Sequence, residues 1–370
     1  MSDDVPWVKR NVQDDDYLVI HEFIAKARNN LNRNVWDYLI GGTETETTLA
    51  RNRMALDCVA LRPRVLVDVS RIDATAQFFG RKIRLPVALA PVGSLESFEP
   101  GGGATVAKAA GMFGVPFFCS SVTQPGLEAV AAAATGPKVF QLYVRGDDNF
   151  VDDHVSRAVD AGYDAFCITV DTARYSRRER DLSKRFRKYW QAQVGVDYQA
   201  ALSWAQIERF KAKHRIKLIL KGIGTAEDAA HACDMGVASI YVSNHGGRQL
   251  DHGRGSFDVL PEVVTAVAGR AHIMVDGGFS RGTDIIKGIA MGADTIAIGR
   301  LYLYGLAANG ATGVVRLLEL LEHEIEQSMG LVGVANFGQL DHTYLHPAQP
   351  VAIPHVHSAF PHLNLPPETY

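Results

Sequence analysis

The stretch 239–251 reads SIYVSNHGGRQLD, an apolar run of Ile240, Tyr241 and Val242 that stops abruptly in Ser243, Asn244, His245, Gly246, Gly247 and Arg248. A buried strand ending in this way sets a titratable imidazole and a bidentate anion clamp together on a rigid edge. Taken alone, the segment also fits a strand, a glycine turn and a solvated arginine. What decides the fold is recurrence: short β-rich runs that finish in polar residues or glycine appear along the whole chain.

Working outward from 239–245, the other runs of this kind are 85–91, 116–120, 139–144, 165–171, 217–221, 272–278 and 295–300. Helix-compatible segments such as 103–112, 150–161, 225–235 and 281–291 separate them. Short strands alternating with helices in this number predict an all-parallel sheet closed as an α/β (β/α)8 TIM barrel. An open doubly wound sheet is the alternative, but no G-x-G-x-x-G opens a first βαβ unit. Before the barrel, the chain from Tyr17 to Asp37 predicts one or two helices that cap a barrel end and deliver Tyr38 to the mouth. The amphipathic 314–329 pattern predicts the final barrel helix. The expected organisation is one domain, with a helical extension over 1–74, the barrel over 75–330 and a C-terminal extension over 331–370.

A length of 370 residues and a net charge of −3, with acidic and basic residues interspersed, suit a soluble globular protein with no footprint for nucleic acid or an anionic membrane. The start, Met1-Ser2-Asp3-Asp4, is acidic and has no apolar core, and no run is long enough to span a bilayer. A cytoplasmic protein is the expectation. Cys58, Cys119, Cys167 and Cys233 lie far apart without a C-x-x-C, so neither a disulfide framework nor a zinc site is expected.

In such a barrel the chemistry sits at the C-terminal ends of the strands. Those ends carry Pro91, Val92 and Gly93, then Ser120, Gln141 with Tyr143, Thr169 with Asp171, Lys221, Ser243 with His245, Asp276-Gly277-Gly278, and Gly299-Arg300. Polar residues or glycine at every end point to a bound ligand. Glycines after the last two strands, each before a helix, suit a phosphorylated cofactor held by main-chain N–H groups.

The segments Phe140–Val144 in the form FQLYV, Thr169-Val170-Asp171-Thr172 followed by Arg177-Arg178-Glu179, Leu220-Lys221-Gly222, the SNHGGRQLD block and Asp276-Gly277-Gly278 resemble the FMN-dependent (S)-2-hydroxy acid oxidases and dehydrogenases. That family includes glycolate oxidase, lactate oxidase and mandelate dehydrogenase, and the likeness runs from about Asp37 to Tyr344. The resemblance implies FMN as cofactor and a small 2-hydroxy acid as substrate, with oxygen or another redox acceptor taking the electrons. It also implies a homo-oligomer, a tetramer or octamer. His245 would be the base, Asp171 would orient its ring, and Arg178 and Arg248 would grip the substrate carboxylate. Tyr38 and Tyr143 would hydrogen-bond the carboxylate and the C2 oxygen. Lys221 would lie against the pyrimidine end of the flavin. Gln141, Thr169, Ser243 and Ser120 would bond the ring and ribityl groups, with the main chain of Pro91, Val92 and Gly93 near the flavin N5. Asp276, Gly277, Gly278, Ser280, Gly299 and Arg300 would hold the ribityl and phosphate end.

Three departures from the family pattern stand out. Ser280 occupies the place of a phosphate-binding arginine, with Arg281 next to it as a possible substitute. Glu99-Pro100-Gly101-Gly102-Gly103 replaces the usual histidine-containing run after the first strand. The segment between Asp181 and Trp204 is short and basic, carrying Lys184, Arg185, Arg187 and Lys188, which predicts an open mouth, a substrate bulkier than glycolate or a macromolecular acceptor, and no membrane anchor. Val122 and Tyr175 would line the side-chain pocket. Two other readings are a non-redox flavin isomerase, disfavoured by His245 and the arginine pair, and a binding or scaffold barrel that has lost its cofactor. The tail's His342, His346, His355, His357 and His362 have no metal-ligand spacing, and a proline-rich tail packed on a neighbouring subunit is expected instead.

Overall fold

Strand positions in this chain are apolar on both faces, as a buried parallel sheet demands. In a computed structural model, which describes residues 17–185 and 197–365, they close into an eight-stranded barrel. The strands are β1 Val87–Leu89, β2 Phe117–Ser120, β3 Lys138–Leu142, β4 Ala165–Thr169, β5 Lys217–Ile223, β6 Ser239–Val242, β7 His272–Val275 and β8 Thr295–Ile298. All pair in parallel and in chain order, and β8 returns to β1 through Ile296–Val87 and Ile298–Leu89. Each of the eight expected runs is a strand, most of them shorter by one to three residues at an end, while β3 starts one residue early at Lys138 and β5 runs two residues on to Ile223.

Alternation sets what each strand residue faces. Ala88, Phe118, Val139, Cys167, Ile219, Tyr241, Met274 and Ala297 form a cluster of their own inside the barrel, each at most 1% exposed. Their neighbours, such as Phe140, Ile168, Leu220 and Ile240, join the larger core under the helices. Two residues beyond the inward set stand Gln141, Thr169, Lys221, Ser243 and Asp276, all buried. The polar strand ends are therefore the top layer of the barrel interior.

Among the described residues, three helices precede the barrel: α1 Ile20–Asn30, α2 Arg33–Ile40 and α3 Thr47–Asp57. The first buries Ile20, Phe23, Ile24 and Ala27 along one face, at 3.6-residue spacing. Asn32 caps α2 by accepting the Val35 N–H at 3.0 Å. This helix carries Tyr38 to the mouth, as expected. The alternation did not disclose the antiparallel hairpin Ala76–Phe78 with Arg81–Ile83. Its Phe78 and Ile83 are fully buried against the interior cluster, and Arg81 pairs with Asp164 at 2.8 Å, beside the start of β4. The hairpin thus closes the N-terminal mouth, each such apolar side chain stabilising the fold by about 1.5–3 kcal/mol.

Around the barrel lie α4 Gly102–Phe113, α5 Leu127–Ala133, α6 Asp148–Asp160, α7 Glu179–Ser183, α8 Trp204–Lys213, α9 Ala226–Asp234, α10 Ser256–Val267, α11 Gly282–Ala290 and α12 Arg300–Val332. The last starts directly at the end of β8, well before the expected 314–329, and bends where Asn309 and Gly310 leave helical geometry. None of the described helices is long and apolar enough to cross a membrane.

The tail departs from expectation, because it docks on its own chain. Leu345–Pro347 pairs antiparallel with Val59–Leu61, His357 stacks on Trp36 with ring centroids 5.7 Å apart, and Phe360 is 3% exposed. Among the described residues, no three His, Cys, Asp or Glu side chains are placed to hold a metal ion. Met1-Ser2-Asp3-Asp4 and the basic Arg187 and Lys188 lie outside the described residues.

Candidate active site

The C-terminal mouth is built by the loop that follows β6. His245, Gly246 and Gly247 take left-handed φ of +60°, +63° and +74° in succession, a costly turn for the histidine. A Cβ on Gly247 would stand 2.5 Å from the Leu49 nitrogen of α3, so only glycine lets the loop reach that helix. The carboxamides of Asn52 and Asn244 bond each other reciprocally at 2.9 and 2.7 Å, and Asn244 also accepts the Gly247 N–H. With this loop pinned, the imidazole has a defined position.

His245 Nδ1 lies 3.2 Å from Asp171 Oδ1, and Nε2 lies 3.1 Å from the Tyr143 hydroxyl. A neutral ring facing a carboxylate through Nδ1 carries its proton there, so Nε2 keeps the lone pair and Tyr143 donates to it. Burial pushes the His245 pKa below 6.5, as does the Lys221 charge, while Asp171 pulls the other way. Burial pushes the Asp171 carboxyl up, but His245 and Lys221 hold it below its ordinary value. At neutral pH the pair is therefore imidazole and carboxylate, the state in which a base works.

Two cations face this pair. Arg248 Nη1 donates to the carbonyls of Tyr38 and Gly41, each at 2.7 Å, while its Nη2 is buried with no hydrogen-bond partner. Arg178 donates from Nε to Ser176 Oγ at 3.3 Å and lies over the Tyr175 ring. Burial, and next the like charge of Arg178, lower the Arg248 pKa to about 10. Adjacent buried guanidiniums of this kind call for an anion. Tyr38, its pKa raised by burial, donates to the Gly93 carbonyl at 3.3 Å under the Arg248 guanidinium.

Below them, Lys221 Nζ donates to Ser243 Oγ at 3.0 Å and lies 3.8 Å from Asp276. Ser243 Oγ donates to Asp276 Oδ1 at 2.7 Å and accepts the His245 N–H at 3.0 Å, and Tyr241 donates to the other Asp276 oxygen. The Ser243 hydroxyl thus uses its proton and both lone pairs inside the protein. Gln141 Nε2 donates to Thr169 Oγ1 at 2.8 Å, which leaves the buried Gln141 Oε1 without a partner.

A cavity with about 1,210 Å³ of empty space, its open mouth included, joins these groups. Tyr38, Pro91, Val92, Gly93, Tyr143, Arg178, Lys221, His245, Arg248, Asp276, Gly277, Gly278, Ser280, Gly299 and Arg300 all line it. Ser120, Gln141, Thr169, Asp171 and Ser243 are outside its lining; Ser120 Oγ accepts the Val122 N–H at 3.4 Å. Arg300 donates to the carbonyls of Leu39, Gly246 and Gly41 at 2.8–3.0 Å, bracing the loop that holds His245. Arg281 is no substitute at Ser280: it pairs with Glu324 at 2.6 Å and lies over Phe360, away from the cavity. A second cavity opens beside His245 and Tyr143, lined by Arg145, Thr172, Tyr175, Gln199 and Gln249 among others.

Several site residues escaped the sequence reading. Asn52 and Arg53 sit inside a helix with no motif around them, and Gln199 bridges the Val144 N–H and the Thr169 carbonyl from a loop. His355 and Val356 reach the large cavity from the tail. Only the polar Asn52-Arg53 pair, buried within α3, left any trace in the sequence.

A closed parallel barrel whose C-terminal mouth joins a buried imidazole–carboxylate pair, two arginines and a large cavity has the architecture of the (β/α)8 enzymes. The family model described as FMN-dependent dehydrogenase matches residues 27–347. Glycolate oxidase 1 of Oryza sativa subsp. indica is 36% identical over 350 residues, covering 88% of this chain and 95% of that protein. L-lactate oxidase of Nostoc sp. is 36% identical over 359 residues, covering 88% and 97%. A crystal structure of mandelate oxidase superposes with a TM-score of 0.84 at 37% identity, over 91% of this chain and all of that one. The chain belongs to the FMN-dependent dehydrogenase family. It is a flavoprotein oxidoreductase, as the SNHGGRQLD block led us to expect, and nothing in these likenesses favours the isomerase or scaffold readings.

The residues present fit FMN. Lys221 offers a buried cation at the cavity wall, and the start of α12 at Gly299-Arg300 an N-terminal helix end of the kind that binds phosphate.

Proposed function

We propose that the chain oxidises an (S)-2-hydroxy acid to the 2-oxo acid, with His245 as base and Arg178 and Arg248 as the carboxylate clamp. The observation that carries this reading is the buried arginine pair beside a neutral imidazole, with one guanidinium nitrogen, Arg248 Nη2, unpartnered. Glycolate, lactate and mandelate, the compounds in the relatives' names, are all 2-hydroxy acids.

FMN would be held at its ring by Lys221, Gln141 and the main chain of Pro91, Val92 and Gly93, with Ser120, Thr169 and Ser243 behind them. Asp276, Gly277, Gly278, Ser280, Gly299 and Arg300 would hold its ribityl and phosphate end. When bound, FMN supplies the acceptor for the two electrons that leave the substrate C2. His245 Nε2 takes the proton that the substrate gives up, and Asp171 stabilises the resulting imidazolium through Nδ1–H. Tyr143, already donating to Nε2, and Tyr38 orient the C2 oxygen and the carboxylate. Lys221 supplies fixed positive charge beneath the site. Oxygen or another redox acceptor regenerates the enzyme, and the working unit is a homo-oligomer, a state that sedimentation of the purified protein tests.

The second cavity, lined by Thr172, Tyr175 and Gln249 beside His245 and Tyr143, is the feature that supports a substrate larger than glycolate. A panel in which glycolate reduced the enzyme faster than every larger 2-hydroxy acid would remove that part of the reading. The base is tested by His245→Ala. Anaerobic flavin bleaching should slow by about 10²–10⁴-fold while FMN stays bound, and retained turnover overturns the assignment.

A further inference from the structure

The end of the cavity that receives a phosphate has few side-chain donors left. Arg53 spends all five N–H groups: two bonds to Asp57, two to Asp284 and one to the Gly278 carbonyl. With two carboxylates around it, that guanidinium offers an anion no net positive charge. Ser280 gives its one hydroxyl proton to the Gly278 carbonyl at 3.2 Å. Arg300 has three N–H groups committed to carbonyls, which leaves one on each terminal nitrogen.

To this cavity the C-terminal segment brings a residue from outside the barrel, His355, which shares its lining with Ser280, Gly299 and Arg300. Its Nδ1 accepts the His357 N–H at 3.2 Å, so the neutral ring carries its proton on Nε2 as a donor. The segment is anchored on both sides of that ring. His357 bonds the Tyr304 hydroxyl at 3.0 Å and stacks on Trp36, the His355 N–H donates to Ser358 Oγ at 3.1 Å, and Phe360 is buried. The imidazole therefore sits at the cavity rim on an ordered support.

We propose that His355 is a phosphate contact of the FMN site, a donor supplied by the C-terminal segment where the βα loops have few side-chain donors left. The inference rests on FMN occupying the large cavity. It predicts a residue that distinguishes FMN from riboflavin, which has the same ring and ribityl chain but no phosphate.

The full-length protein, freed of its flavin, is titrated with FMN and separately with riboflavin, and binding is followed by quenching of flavin fluorescence. His355→Ala should raise the FMN Kd about tenfold and leave the riboflavin Kd unchanged, as expected for one lost hydrogen bond to a charged group. His355→Gln, which keeps an N–H donor, should recover most of the loss. An unchanged FMN Kd in His355→Ala overturns the proposal. So does an equal loss for both flavins, which would mark a packing role for the tail. A wild-type protein that takes up neither flavin overturns the cofactor assignment itself, a result separable from the others.

Discussion

The imidazole of His245 faces the Asp171 carboxylate at 3.2 Å across 74 positions of sequence. The two residues follow β6 and β4, and Lys221 rises from β5 between them, paired to Thr169 on one side and Tyr241 on the other. The three strand ends thus form one electrostatic unit, in which Lys221 depresses the basicity of His245 and Asp171 raises it.

That balance predicts the pH dependence. A base acts in its neutral form, so kcat/KM should rise with pH and level off once His245 has lost its proton. Because burial and Lys221 hold the His245 pKa under 6.5, the acid limb should lie below 6.5. Asp171→Asn should move the limb further down and Lys221→Met should move it up. A wild-type limb above 6.5, or shifts of the opposite sign in kcat/KM profiles, would contradict this account.

Arg248 should not tolerate lysine. Its guanidinium fork braces the Tyr38 and Gly41 carbonyls with one nitrogen and leaves the other buried without a hydrogen-bond partner among the described residues, a geometry an ammonium cannot copy. Steady-state kinetics of Arg248→Lys should show kcat/KM down by about 10–100-fold, the loss of a charge-assisted hydrogen bond. Wild-type kinetics in this variant would remove Arg248 from the clamp.

Gly222 is a remote handle on the base. It has φ +112°, and a Cβ there would stand 2.6 Å from the Asp171 Cβ, so Gly222→Ala must push the carboxylate away from His245. Misplacement of an orienting group by about 1 Å costs on the order of 10²-fold in rate. Anaerobic flavin reduction should slow by about that factor, with the visible spectrum of bound FMN unchanged. Full activity in the variant would show that Asp171 is not needed to hold the ring.

The Arg53–Asp284 pair is a stability element. Both side chains are almost wholly buried, at 6% and 2% exposure, and Arg53→Met would leave Asp284 as an unpaired buried carboxylate. Urea denaturation at neutral pH should show a loss of about 3–5 kcal/mol. Burial pushes the Asp284 carboxyl up, but Arg53 holds it below its ordinary 3.8. A depressed folded pKa contributes stability above the unfolded value and loses it as the group protonates, so the gap between wild type and variant should narrow as pH falls below 3.8. A gap that widened in acid would contradict the assignment.

Much of the site was legible because a strand's alternation is local. Val139 and Gln141, Cys167 and Thr169, Ile219 and Lys221, Tyr241 and Ser243, and Met274 and Asp276 each lie two residues apart on one inward face. An apolar residue followed two positions later by a polar one therefore marks the top of a barrel strand, and chain order supplies the pairing of neighbouring strands. The eight strands, the mouth and the strand-end residues Tyr143, Lys221, His245 and Asp276 that line its cavity followed from that pattern together with the SNHGGRQLD block.

What a guanidinium or hydroxyl bonds to is not local. Arg281 looked available in the sequence, yet it turns to Glu324, 43 positions away, and Arg53, which the sequence reading passed over, turns to Asp284, 231 positions away. The Ser243 hydroxyl is committed to Lys221 and Asp276, and the tail docks on Trp36 and Tyr304 of its own chain. A sequence by itself determines the period, polarity and order of its elements, because these depend on neighbours a few residues apart. The partner that satisfies each buried donor is chosen among groups brought together only when the barrel closes, so the tertiary structure alone decided which arginine remained open to an anion and that His355 stands at the cavity rim.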